Sequence, residues 1–157
     1  MAVYPAILPP PKKSGYGIKP KSGVIKTEMT SGPARQRRIT ARPPTDIRVV
    51  WSFTQEELGV FEAWYLHKAK MGAEWFYISL LSGLGLVTHK ARFTDESYEA
   101  KPNPETNKFD VSATLETQVR PVLSPGALDL TLIYGIQDIN NAASRLKTCV
   151  HNAFIKI

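Results

Sequence analysis

The spacing of hydrophobic and polar positions changes period twice between Val49 and Leu81, and the changes outline the centre of the chain. Val49, Val50, Trp51 and Phe53 make a short apolar, β-favouring run that predicts a strand. From Thr54 to about Met71 the spacing shifts to three and four. Leu58, Phe61, Trp64, Tyr65 and Met71 fall roughly on one face, with Glu56, Glu62, His67 and Lys70 largely off it, which predicts a helix with one packed and one wet side. Thr54 and Glu57 have the spacing of a capping box, in which hydroxyl and carboxylate each satisfy an orphaned backbone N–H, and Gln55, Glu56 and Glu57 suit the positive end of the helix dipole. Gly72 is expected to end the helix. Glu74 to Leu81, with Trp75, Phe76, Tyr77 and Ile78 in series, predicts a returning strand. The large apolar groups are concentrated here, so the expected core is Trp51, Phe53, Leu58, Phe61, Trp64, Trp75 and Phe76, joined by Val111 and Leu115 from a later strand.

Before this centre the pattern is weaker. Residues 1–22 combine prolines and lysines with the anchors Tyr4, Ile7, Leu8, Tyr16 and Ile18; such a segment cannot fold alone and is either disordered or laid on a neighbour, and the anchors favour docking. Gly23 to Thr30 and Ala34 to Ala41 alternate around Ser31, Gly32 and Pro33, which predicts a β-hairpin whose second arm carries Arg35, Arg37 and Arg38. In a strand Arg35 and Arg37 share a face. Arg42, Pro43 and Pro44 then break the strand.

After the centre, Ser82, Gly83, Leu84 and Gly85 form a tight turn, and Leu86 to Phe93 returns as the second arm of a hairpin. Asp95 to Lys108 reads as a loop with a short strand near Tyr98. Phe109, Val111, Ala113 and Leu115 alternate with Asp110, Ser112, Thr114 and Glu116, the cleanest half-buried strand in the chain, expected to run to Arg120 before Pro121. Beyond Pro125 an apolar segment, Leu128 to Tyr134, precedes an expected second helix from Gln137 to Ala153 with Ile139, Ala142, Ala143, Leu146, Val150 and Phe154 on one stripe. This helix would dock either on the domain or on another subunit.

Composition adds one asymmetry. The 157 residues carry a net +6, but residues 1–48 hold ten basic and two acidic groups, and the remainder ten and twelve. The basic third points to an acidic partner surface. No apolar run reaches the roughly 20 residues of a membrane helix, and the Pro-rich start lacks a signal-peptide pattern, so a cytosolic origin is expected.

Candidate chemistry is sparse. His67, His89 and His151 lie far apart without zinc spacing and read as surface or partly packed groups, and Cys149 has no second cysteine to pair with. The Gly83-Leu84-Gly85 turn lacks the rest of a phosphate loop, no Gly-x-Ser-x-Gly elbow occurs, and Asp95, Glu96 and Glu99 read as a solvated loop. No cofactor or metal is expected. The nearest bottom-up alternative to a protein-binding role is a nucleic-acid module, in which the basic third neutralises phosphates while Tyr4 and Tyr16 stack bases.

The order of features carries a resemblance: Ser14, Gly15 and Tyr16 after a Pro-rich start, the basic hairpin, the strand ending near Trp51, a helix with Phe61, Ala63 and Trp64, a glycine before Trp75 and Phe76, and the late strand Val111-Ser112-Ala113-Thr114-Leu115-Glu116. From Ser14 to about Arg120 this order resembles the minor tail proteins of tailed bacteriophages, particularly small distal-tail or tail-tip ring subunits. The resemblance implies a non-enzymatic virion protein made in the host cytoplasm: a mainly β (α+β) sandwich or barrel-like domain with one flanking helix, assembling as a homo-oligomeric ring and reaching other tail or connector proteins with extended arms. Its expected organisation is an arm (1–22), a core domain (23–122) and a helical extension (123–157). Assembly contacts are then expected at Tyr4, Tyr16, Arg35, Arg37, Arg38, Arg42, Leu146 and Val150. The C-terminal part is longer than the tail pattern requires, which keeps a head–tail neck or fibre- or spike-attachment adaptor open as a placement.

Overall fold

The structure, a computed structural model, describes residues 2–94, 97–138 and 140–145. The chain divides into two compact units, residues 1–121 and 122–157. The first contains β1 (Ala2–Val3), β2 (Gly17–Pro20), β3 (Val24–Thr27), β4 (Arg35–Arg38), β5 (Thr45–Phe53), α1 (Gln55–His67), β6 (Phe76–Ser82), β7 (Gly85–Phe93), β8 (Glu99–Asn103) and β9 (Lys108–Thr117). The second contains α2 (Pro125–Tyr134).

Seven strands form one mixed sheet in the order β1-β6-β7-β9-β5-β2, with β8 also on β9, and β3 and β4 form a separate two-stranded sheet. The class is mainly β, α+β, as expected. Among the described residues the large sheet is open rather than a closed barrel, and its apolar face is covered by a helix rather than by a second sheet. β5 and β9 pair along their whole length, from Thr45↔Thr117 to Phe53↔Phe109, so the alternation in both strands directs Ile47, Val49, Trp51, Phe53, Val111, Ala113, Leu115 and Thr117 to one buried face. β9 stops at Thr117, short of the expected Arg120. The short strand expected near Tyr98 is β8, from Glu99 to Asn103, and its backbone pairs with the free side of β9 from Ser112 to Lys108.

Helix α1 starts as the sequence predicts: Glu57 N–H donates to Thr54 Oγ1 at 3.3 Å and Thr54 N–H to the Glu57 carboxylate at 2.8 Å. Its inner face carries Phe61 and Trp64 into the core, with Leu58 and Tyr65 partly buried beside them. Phe61 meets Trp51 and Phe53 at 5.6 and 5.2 Å between ring centroids, and Trp64 meets Phe76 edge-on at 5.0 Å. Offset and edge-to-face geometry of this kind adds to what burial alone contributes.

The helix ends earlier than predicted. It stops at His67, and Lys70, Met71 and Gly72 follow in a short turn with φ of 49°, 55° and 92°. Met71 therefore leaves the packed face and is 69% exposed, whereas Gly72 is buried with Phe93 Cβ only 2.9 Å from where its own Cβ would stand. Trp75 is also not a core residue. Phe76 takes the buried face of β6, so by alternation its predecessor is sent to the opposite one. The hairpin β6–β7 turns at Gly83 and Leu84 as predicted, with Ser82 Oγ accepting from Leu84 N–H and Gly85 at φ 92°.

The N-terminal segment is part of the fold and not a free arm. β1 runs parallel to β6, Tyr4 N–H donates to the Tyr77 carbonyl, Lys12 N–H donates to the Val50 carbonyl, and β2 pairs with β5. Residues 2–20 thus strap the β6 edge of the sheet to its β5 edge, and Leu8 is 4% exposed beneath the strap. Prolines and lysines hid this in the sequence, because the strap needs only a few backbone donors and four or five apolar anchors.

In the second unit, α2 is capped by Ser124, whose Oγ accepts from Ala127 N–H, with Pro125 in the first turn. The apolar segment from Leu128 to Tyr134 is therefore itself a helix. Residues 136–138 and 140–145 are helical as predicted; Ala142 and Ala143 are exposed, and Ile139, Leu146, Cys149, Val150, His151 and Phe154 lie outside the described residues.

Candidate assembly surfaces

Three surfaces of the first unit carry unusual chemistry. The first is the β3–β4 hairpin. Its register places Arg38 across from Val24, Arg37 from Ile25, Gln36 from Lys26 and Arg35 from Thr27, and every one of these residues is exposed. At the base, Ile39 and Thr40 N–H groups donate to the Gly23 carbonyl and Lys21 N–H to the Pro44 carbonyl, which holds the hairpin at the Thr45 end of β5. Arg38 Nε donates to the Thr40 carbonyl, Arg42 N–H donates to Thr40 Oγ1, and Lys26 meets Glu28 at 3.3 Å. Arg35, Arg37 and the Arg42 guanidinium have no partner among the described residues. The hairpin is cationic on both faces, and Met29 and Ile39 add exposed apolar area beside it.

The second surface is the outer side of α1. The sequence predicts it wet, and it carries apolar groups as well: Val60 is 44% and Leu66 52% exposed there, one turn after the exposed Glu56 and Glu62 respectively. Gln55 to His67 holds three carboxylates and no Lys or Arg. Glu57 is committed to the cap, while Glu62 accepts a long 3.4 Å bond from Tyr98 Oη.

The third is the polar face of the sheet. Register lines up Lys19, Asp46, Glu116 and Arg92 across β2, β5, β9 and β7. Asp46 and Glu116 stand directly opposite, an unfavourable pairing of like charges that Lys21 relieves by lying 3.1 Å from Asp46 and 2.7 Å from Glu116. Arg92 meets the other Glu116 oxygen at 2.6 Å, and its guanidinium lies 4.8 Å from the Trp75 ring centroid, with Lys90 at 5.6 Å. The Lys21 bond, then Arg92, holds the Glu116 carboxyl below its ordinary range. Asp110 is held low in the same way by Lys12 at 2.6 Å, then by Asn103. Two open grooves of about 540 and 590 Å³ share Lys21 and Thr94 in their walls; the second lies along this face, and the first passes from Arg92 and Glu116 to Tyr65 and Met71.

Several residues expected at assembly contacts are used inside the domain. Tyr4 stacks on Trp51, meets Trp64 edge-on and donates from Oη to the Pro9 carbonyl; burial, then the Glu57 charge, pushes its phenol well above the ordinary range. Tyr16 donates from Oη to the Leu81 carbonyl and packs against the core. The physical reason is that both sit in the strap, where an aromatic ring fills the edge of the core and its hydroxyl satisfies a carbonyl. Arg35, Arg37, Arg38 and Arg42 are exposed, as an assembly contact requires, and Leu146 and Val150 lie outside the described residues.

His89, expected to be at the surface or partly packed, is 2% exposed. Its Nδ1 lies 2.7 Å from the Val87 carbonyl and so carries a hydrogen, and Nε2 is buried without a hydrogen-bond partner among the described residues. His67 is exposed, and Glu99 pairs with Lys101 at 2.9 Å; Asp95 and Glu96 lie outside the described residues. Among the described residues, no group of three or more His, Cys, Asp or Glu is placed to hold a metal, and no helix is long and apolar enough to cross a membrane.

Sequence reasoning missed the Lys21–Glu116–Arg92 network and the apolar outer face of α1. Strand register, which no local pattern specifies, creates the first; the second was legible in Val60 and Leu66, which the helical spacing places off the core stripe. Comparison of the chain with protein-family models, with curated proteins and with solved structures returns no match.

Proposed function

We propose that the chain is a non-enzymatic structural subunit of a tailed-bacteriophage virion, forming a ring in the tail and linking neighbouring tail proteins. The observation that carries this reading is the β3–β4 hairpin, a two-stranded sheet whose strand residues are all exposed. An isolated hairpin of this size is marginal in water. A hairpin with arginines and exposed aliphatics on it gains its stabilisation when a complementary protein surface covers it. Helix α2 supports the same reading, since it presents Leu128, Leu130, Leu132, Ile133 and Tyr134 with Asp129 its one charged residue, and a helix so rich in exposed aliphatic groups suits a protein contact. The order of residues from Ser14 to Arg120 supports the tail as the place.

Immunogold electron microscopy on particles of a phage encoding the chain tests this. Label at the tail tip or the neck is expected, and its position separates a distal ring from a head–tail connector or fibre adaptor. Particles whose protein content lacks the chain overturn the reading.

A second reading rests on Arg35, Arg37 and Arg42, whose side chains would also meet phosphates. It makes the chain a nucleic-acid-binding module. Tight binding to a labelled oligonucleotide, falling steeply with salt, would put that reading first.

A further inference from the structure

We infer that the chain associates head to tail, with the β3–β4 hairpin of one copy seated on the outer face of α1 of the next. This rests on the ring-forming reading above and names the two halves of its contact. The hairpin is held at the Thr45 end of β5 by the Gly23 and Pro44 carbonyls, and α1 begins at Thr54, directly after the Phe53 end. Eight strand steps separate those ends, about 26 Å at the usual rise. The start of α1 is therefore out of reach of the hairpin of its own chain, whereas Tyr65, near the end of the helix, shares a groove with Lys21 at the hairpin base.

The two surfaces match in chemistry. On the hairpin Arg35 and Arg37 share one face with Ile25, Arg38 shares the other with Val24, and Met29 lies beyond β3, all exposed. On the helix, Glu56 precedes Val60 by one turn and Glu62 precedes Leu66 by one turn, and all four are exposed. Each side thus offers apolar area framed by one sign of charge, the opposite sign to its counterpart. Opposite charge sets register and approach, and the aliphatic groups supply the area removed from water. The two patches are different, so the inferred contact is heterologous: successive copies join by the same step, which closes as a ring or runs on as a filament.

Reciprocal charge reversal tests this on the full chain by sedimentation velocity at low and moderate salt. Arg35→Glu/Arg37→Glu/Arg38→Glu alone, and Glu56→Lys/Glu62→Lys alone, are each expected to weaken self-association by at least roughly ten-fold. An equimolar mixture is expected to recover it, because each variant then presents an end complementary to the other. Should the helix variant melt early, Val60→Lys replaces it and is expected to block association without needing the cap region. Wild-type assembly unaffected by either reversal, or a mixture that stays dissociated, overturns the head-to-tail contact while leaving a ring by other surfaces standing. A wild-type chain that remains monomeric at every concentration and salt removes the ring reading itself.

Discussion

At the scale of single residues, the structure assigns measurable work to side chains that the sequence leaves unremarkable. Thr54 is a cap in both. Thr54→Ala removes the acceptor for Glu57 N–H and is expected to cost about 1 kcal/mol in denaturant unfolding. Glu116 is different, because nothing in its neighbours along the chain marks it out; Lys21 and Arg92 reach it from other strands. Its folded carboxyl binds a proton less readily than the unfolded chain's ordinary 4.5. Its contribution is therefore complete above that ordinary value and is lost as pH falls through the lower folded value. The wild-type melting temperature is expected to fall more steeply below about pH 4.5 than that of Glu116→Gln, with both compared across an acid series by circular dichroism. An equal slope in the two proteins would show that the network does not favour the charged form.

At the scale of elements, the residues read from the sequence as an arm act as a strap. Leu8 and Tyr4 are bound into the core, and the backbone between Val3 and Pro20 touches β6 at one end and β5 at the other. Leu8→Ala is expected to cost about 2–5 kcal/mol, and removal of residues 1–22 to abolish cooperative thermal unfolding. Survival of a sharp transition in the truncated chain would return these residues to the role of an arm. Elements with a strong period, α1 at three and four and β9 at two, were legible because each carries its own apolar stripe. β8 was legible only as a short strand near Tyr98, since Glu99, Lys101, Pro102 and Asn103 have no strand signature and pair because β9 leaves its edge free.

At the scale of the molecule, the core of the first unit and the hairpin proposed for assembly are different parts of it. The core cluster draws on the strap, α1 and the large sheet, and contains no residue of β3 or β4. Joining Gly23 to Thr40 by a short Gly/Ser turn in place of the hairpin is expected to leave the melting temperature within about 4 °C and to eliminate self-association. Calorimetry and light scattering on the same sample read the two effects. A large fall in melting temperature would mean that the hairpin supports the domain rather than its neighbours.

The sequence by itself determined the elements whose information is local: the capped helix from Thr54, the β6–β7 turn, the alternating strand from Phe109, and the basic hairpin between Gly23 and Ala41. Local signals suffice there because a cap, a turn or a period needs only residues a few positions apart. The class, mainly β with a central helix, was expected from the resemblance that their order carries. Tertiary structure alone decided the strap, the outward turn of Trp75, the buried His89 and the Lys21–Glu116–Arg92 row. Each depends on which strands lie side by side and in what register, and that is settled by burial of the whole apolar face at once, which no single segment encodes.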